Sequence, residues 1–81
     1  MTDKEIYTKL ENIIKDYLPE EVSKENIKLD SDLTKELNIN SSHLVDIVLD
    51  VEDTFNIALS NDDMESLRTV NDALQIIKQK L

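Results

Sequence analysis

A chain of 81 residues with no glycine and a single proline has few ways to fold. Tight hairpins of the Asn-Gly or Asp-Gly kind depend on glycine at positive φ, and none is available. No apolar/polar alternation persists long enough to read as a strand, so the chain is expected to be all-α. The absence of cysteine removes disulfide staples, leaving a core of this size to supply a margin of only about 3–5 kcal/mol. Well-capped, well-packed helices meet that demand. Independent domains need about 50 residues or more, so residues 1–81 are expected to form a single domain.

The capping signals divide the chain. Thr2-Asp3-Lys4-Glu5 has the spacing of a capping box, and Ile6, Leu10, Ile13, Ile14 and Tyr17 follow on one helical face until Pro19 stops the helix. Residues 18–40 hold isolated apolar positions, Val22, Ile27, Leu29, Leu33 and Leu37, among charged and turn-forming residues. They read as a long loop laid over the core, with at most one helical turn near Asp32 to Leu37. A second helix starts at Asn40 or Ser41 and ends at Phe55, with Leu44, Ile47, Val48, Val51 and Phe55 on its core face. Asp46, Asp50 and Asp53 oppose that face, with His43 among them and Glu52 on the flank. Val45 and Leu49 fall between the two stripes, either widening the buried face or offering apolar contacts to a partner. Ser60-Asn61-Asp62-Asp63 opens a short helix ending near Ser66. Thr69 caps a last helix that buries Val70, Ala73, Leu74, Ile77 and Leu81 and closes with Lys78 and Lys80 at its negative end. The expected architecture is a small four-helix bundle, three longer helices and one short, with a long loop between the first two.

Charge and composition exclude whole classes of function. Nine basic against eighteen acidic residues give a net charge of -9, which repels nucleic-acid backbones and anionic membranes. Ten acids and one base lie between residues 30 and 65, so that stretch alone carries the whole net charge. A field of this kind steers a basic partner toward the second helix. Without cysteine and with one histidine, there is no thiolate nucleophile and no His pair for a transition metal. No apolar run reaches membrane-span length and the N-terminus does not resemble a signal peptide, so a soluble cytoplasmic protein without membrane insertion is expected. His43 and Ser41 point in different directions on one helix, which argues against a triad. Asp30-Ser31-Asp32 lacks the glycine and terminal glutamate of a calcium loop. No catalytic constellation remains.

Ser41 stands at the first turn of the most acidic helix, where a serine commonly serves as the helix cap. The same position places a phosphate ester near free backbone N–H groups and the positive end of the dipole. Spacing alone leaves both readings open.

The residues around it resemble the acyl carrier protein family. That family carries Leu-Gly-x-Asp-Ser-Leu, then a helix of acids and aliphatics reaching Phe about two heptads on, then a short helix, then Thr-Val-x-Asp-Ala. Here Leu37-Asn38-Ile39-Asn40-Ser41-Ser42 takes the first place, Phe55-Asn56-Ile57 follows at the right distance, and Thr69-Val70-Asn71-Asp72-Ala73 is intact. Asp32-Leu33-Thr34-Lys35-Glu36-Leu37 is similar to the family's approach to its serine.

The resemblance implies a carrier that is not an enzyme, with a 4'-phosphopantetheine arm moved from coenzyme A onto Ser41 by a phosphopantetheinyl transferase. The arm supplies the thiol that the chain lacks. It further implies partner recognition through Val45, Asp46, Leu49, Asp50, Glu52 and Asp53, facing basic patches on acyl-loading and acyl-processing enzymes of fatty-acid, lipid or polyketide-type biosynthesis. Leu44, Val48, Ile57 and Leu67 are implied as walls of an acyl pocket, and a monomer is expected. Asn38 stands for the family's Gly, Asn40 for its Asp, Ser42 for its Leu, and His43 where an acid is common. Asn38 suits the left-handed position that the family gives to glycine. These departures suggest a specialised carrier with a dedicated transferase or partner. The alternatives are an amino-acid carrier, or an interaction module of the same fold without the arm.

Overall fold

Among the described residues the chain makes four α-helices, each opened by the side chain of the residue before it. The computed structural model describes residues 2–81. Helix α1 spans Asp3–Lys15, α2 Ser41–Phe55, α3 Asn61–Glu65 and α4 Val70–Lys80, with a 3-10 turn at Lys24–Asn26. Thr2, Asn40, Ser60 and Thr69 each accept the backbone N–H three residues on. Ser60–Asp63 and Thr69–Asp72 are complete capping boxes, in which the carboxylate also takes the cap residue's own N–H. At α1 the box is only half made, because Glu5 accepts the Thr2 hydroxyl.

Ile6, Leu10 and Ile14 on α1 are buried against α2 and α4. Each such side chain contributes about 1.5–3 kcal/mol by leaving water. Helix α1 stops at Lys15, earlier than Pro19 alone demands. Residues 16–18 continue as a tightened turn whose N–H groups bond three residues back, Tyr17 to Ile14 at 2.9 Å. Tyr17, although beyond the last α-helical residue, still packs half-buried against the core. In α4, Ile76 joins the expected Val70, Ala73, Leu74 and Ile77 in the core, whereas Leu81 is 55% exposed. Leu81 is the C-cap of α4, its N–H bonded to Ile77 O at 3.1 Å.

The long loop is part of the core. Ile27, Leu33, Leu37 and Ile39 are buried, although Leu29 stays exposed. Buried Ser31 accepts the Lys28 N–H and donates to the Asn26 carbonyl, so its burial leaves no polar atom unpaired. The loop then satisfies the open end of α4. Val70 N–H donates to Ser31 O at 3.2 Å and Asn71 N–H to Leu29 O at 2.8 Å, while Leu33 N–H reaches back to Arg68 O at 2.8 Å. An isolated antiparallel bridge, Asp32 to Thr69, marks this seam. The expected turn at Asp32 to Leu37 is present, held by Asp32 Oδ1, which accepts the N–H groups of Thr34 and Lys35. The Cα radius of gyration is 11.5 Å; a chain of this length folded without a protruding segment has about 12 Å.

Two asparagines take left-handed backbone, Asn38 and Asn56, both at φ 55°. Asn38 turns the loop into α2, and Asn56 caps the other end of α2. Among non-glycine residues, asparagine tolerates this region best because its short amide bonds locally.

Candidate functional site

The site grows from the way α2 begins. Asn40 caps the helix, its Oδ1 accepting the His43 N–H at 2.8 Å. Ser41, which could equally have been the cap, is instead the first helical residue and is exposed. Its hydroxyl has no capping duty. Among the described residues, the N–H groups of Ser41 and Ser42 have no backbone acceptor, as expected for a first turn. No carboxylate lies in that turn. Hydroxyl, open N–H groups and dipole together suit a phosphate ester at Ser41.

Helical geometry divides the remaining side chains into two flanks. Leu44, Val45 and Val48 lie three, four and seven residues beyond Ser41 and so run below it on one side. With Met64 and Leu67 they line a narrow cleft of about 40 Å³ between α2 and α3. Beneath it, Leu44, Val48 and Leu67 also border a wholly apolar cavity of about 20 Å³ that reaches Leu10, Leu33 and Ile77. Three of the four anticipated wall residues thus come together, and Ile57 does not; it packs on the core outside both spaces. Met64, Leu59 and Ile76 are additional walls that the spacing argument passed over. A cavity of that size holds about one water, so a longer guest has to part the helices.

Helix α3 covers the cleft and is held by charge. Lys80 Nζ lies 2.9 Å from Asp63 Oδ2. The Ser60 N–H and then the Lys80 ammonium hold the Asp63 carboxyl below its usual range. Glu52 ties the loop before α3 to α2, its Oε2 accepting the Leu59 N–H at 2.8 Å.

Val45, at the rim of that cleft, and Leu49, on the other flank, are 47% and 54% exposed, so both are presented at the surface rather than widening the buried face. Asp46 and Asp53 are exposed beside them. Asp50 is half-buried, and its Oδ2 accepts the Tyr17 hydroxyl at 2.6 Å. That bond, ahead of burial and the neighbouring carboxylates, pushes the Tyr17 phenol up to about 12. The His43 ring stands 5.8 Å from the Tyr17 ring, tilted by 53°. The anticipated recognition acids therefore differ in kind: Asp46 and Asp53 reach solvent, whereas Asp50 and Glu52 are engaged within the fold.

Comparison with known proteins identifies the family. The family described as "Phosphopantetheine attachment site" matches residues 8–77. The chain is 37% identical over 81 residues to an acyl carrier protein of Coprothermobacter proteolyticus, covering 100% of this chain and 96% of the relative. It is 33% identical over 78 residues to that of Lactobacillus johnsonii, covering 96% and 95%. With the acyl carrier protein of Petrotoga mobilis it shares 31% over 81 residues, covering 100% and 93%. A family match across most of the chain, with relatives aligned nearly end to end, establishes that the chain belongs to the acyl carrier protein family, whose members are carriers rather than catalysts and bear a covalent 4'-phosphopantetheine.

Proposed function

We propose that Ser41 is the attachment point of the 4'-phosphopantetheine and that residues 1–81 act as one monomeric carrier unit. The protein holds an acyl group as a thioester and presents it to soluble cytoplasmic enzymes of fatty-acid, lipid or polyketide-type biosynthesis. The observation that carries the assignment is the division of labour at the start of α2. Asn40 caps the helix, so the exposed Ser41 hydroxyl is left free beside open N–H groups. Ser42, one residue on, lies about 100° further round the helix, on the side of Asp46 and Leu49 rather than that of Leu44 and Val48. The arm supplies a thiol to a chain without cysteine.

The chain's own residues orient and shield. Leu44, Val48 and Leu67 offer apolar walls to an acyl chain entering from the Ser41 side, and α3 moves outward to admit it. Val45, Leu49, Asp46 and Asp53 form the surface for a basic docking patch on the phosphopantetheinyl transferase or an acyl-processing enzyme. Charge complementarity of this kind speeds encounter and orients the partners.

The test is the intact mass of the protein after incubation with coenzyme A and a broad-specificity phosphopantetheinyl transferase. A phosphopantetheine adduct on wild type and on Ser42→Ala, absent from Ser41→Ala, is expected. An adduct lost only in Ser42→Ala would move the site by one residue. No adduct with any transferase would leave the interaction-module reading in its place. Loading the thiol with an acyl group rather than an amino acid separates the two carrier types.

A further inference from the structure

Four carboxylates of α2 stand where a basic partner could meet them, yet the fold treats them unequally. Asp46 and Asp53 make no hydrogen bond or ion pair among the described residues, and both are exposed. Residues 42, 46, 49 and 53 follow the i, i+4, i+7, i+11 line of a single helical stripe, so Leu49 lies between the two free acids. Glu52 sits on the α3 side, engaged by the Leu59 N–H. Asp50 lies on the α1 side, where the turn after Lys15 brings Tyr17 across to it. A hydroxyl-to-carboxylate bond of 2.6 Å is charge-assisted and strong for its kind. Its donor belongs to a half-buried ring flanked by His43, so the Asp50 carboxylate cannot swing out to meet an incoming ammonium or guanidinium without losing it.

We propose that Tyr17 is a specificity-determining residue of the docking surface: its hydroxyl withholds Asp50, so that α2 offers a basic partner Asp46 and Asp53, one on each side of Leu49. The inference rests on α2 being the docking helix. Seven residues of helix separate the two acids by about 10 Å along the axis. The partner that fits carries two cationic side chains at that spacing, astride an apolar contact that receives Leu49. A carrier with all four acids free would present a broader and less selective field. Tyr17 thus acts through Asp50 as a positioning residue, and the turn following α1 becomes part of the partner code.

The test measures KM and kcat for modification of the apo-protein by a phosphopantetheinyl transferase that accepts the wild type. Asp46→Asn and Asp53→Asn are each expected to raise KM about 2- to 5-fold, the range for one exposed ion pair, with kcat nearly unchanged. Asp50→Asn, whose amide oxygen can still accept from Tyr17, is expected to change KM by less than about 2-fold. Tyr17→Phe releases Asp50 and lowers KM, and Tyr17→Phe/Asp50→Asn cancels that gain. The gain also vanishes in 1 M salt, where the Debye length is about 3 Å. A merely structural tyrosine would raise KM or leave it unmoved when its hydroxyl is removed, and either result overturns the proposal. So does an Asp50→Asn penalty equal to that of Asp46→Asn, a comparison that stands even if the Tyr17→Phe chain fails to fold. A wild-type chain that no transferase modifies would instead sink the attachment reading beneath it.

Discussion

Replacing Leu33 by alanine tests whether the long loop is part of the folding unit. Leu33 is 2% exposed, borders the apolar cavity, and is pinned by its N–H to Arg68 O and its carbonyl to the Ile39 N–H. Three carbon groups are lost, worth about 2.4 kcal/mol at ~0.8 kcal/mol each, and a residual void adds about 1 kcal/mol more. A loss of about 3–4 kcal/mol is expected, most of the margin of about 3–5 kcal/mol that a core of this size supplies. Urea unfolding followed by circular dichroism should register it as a lower midpoint at unchanged slope. In a thermal scan the midpoint should fall by about 12–30 °C. Leu10→Ala, fully buried on α1, serves as the helical comparator, and Leu29→Ala, at 46% exposure, should stay within about 0.5 kcal/mol of wild type. If Leu33→Ala costs less than about 1 kcal/mol while Leu10→Ala costs its full share, the loop separates before the core and the reasoning fails.

Glu52→Ala leaves the half-buried Leu59 N–H without its acceptor, which should cost about 1–3 kcal/mol and accelerate amide exchange across α3 before it does so in α1. Asn40→Ala removes the cap of α2 and should cost about 0.5–2 kcal/mol by urea titration, with Asn40→Asp restoring it. The pH profile should fall off on both sides. Asp32 and Asp63 have folded pKa values below the ordinary 3.8, so their contribution is present above that value and lost as pH falls through the lowered ones. Tyr17, raised from 10.0 to about 12, contributes fully below pH 10 and loses its contribution as pH rises through about 12. Thermal midpoints of Tyr17→Phe should therefore decline less steeply than wild type above pH 10, and identical alkaline limbs would contradict the assignment.

Helix boundaries were legible because caps are local. Asn40, Ser60 and Thr69 act within three residues of themselves, and the acids or amides that announce them are adjacent in sequence. Asn38 could be assigned its left-handed backbone from the family's glycine, a comparison of one position with one position. What escaped depends on contacts across the chain. Ser31 is buried at the seam between the loop and the start of α4, and Ile39 where the loop folds back on Leu33, and no periodicity in residues 18–40 announces either. The bond from Tyr17 to Asp50 joins residues 33 apart, and Tyr17 makes it from the turn that follows Lys15. Counting apolar spacing put Tyr17 against the core, where its ring packs half-buried, but it could not show where the hydroxyl goes. At the site, Ser41, Val45 and Leu49 were visible as positions, whereas the difference between free and engaged acids required knowing which backbone N–H and which phenol lay opposite them.

The two left-handed asparagines bear on a state that the folded structure does not display. A chain without glycine wanders less when it is unfolded, and each such restriction favours the native side by about 0.4–1 kcal/mol where the native backbone tolerates the residue. Asn38 and Asn56 are the positions at which glycine would be most comfortable in the fold, and both hold α2 in place. Installing glycine at either would relieve local backbone strain while enlarging the denatured ensemble, two effects of opposite sign and similar size. Part of this small protein's resistance to unfolding thus resides in the conformations denied to its disordered chain, where no inventory of native contacts would find it.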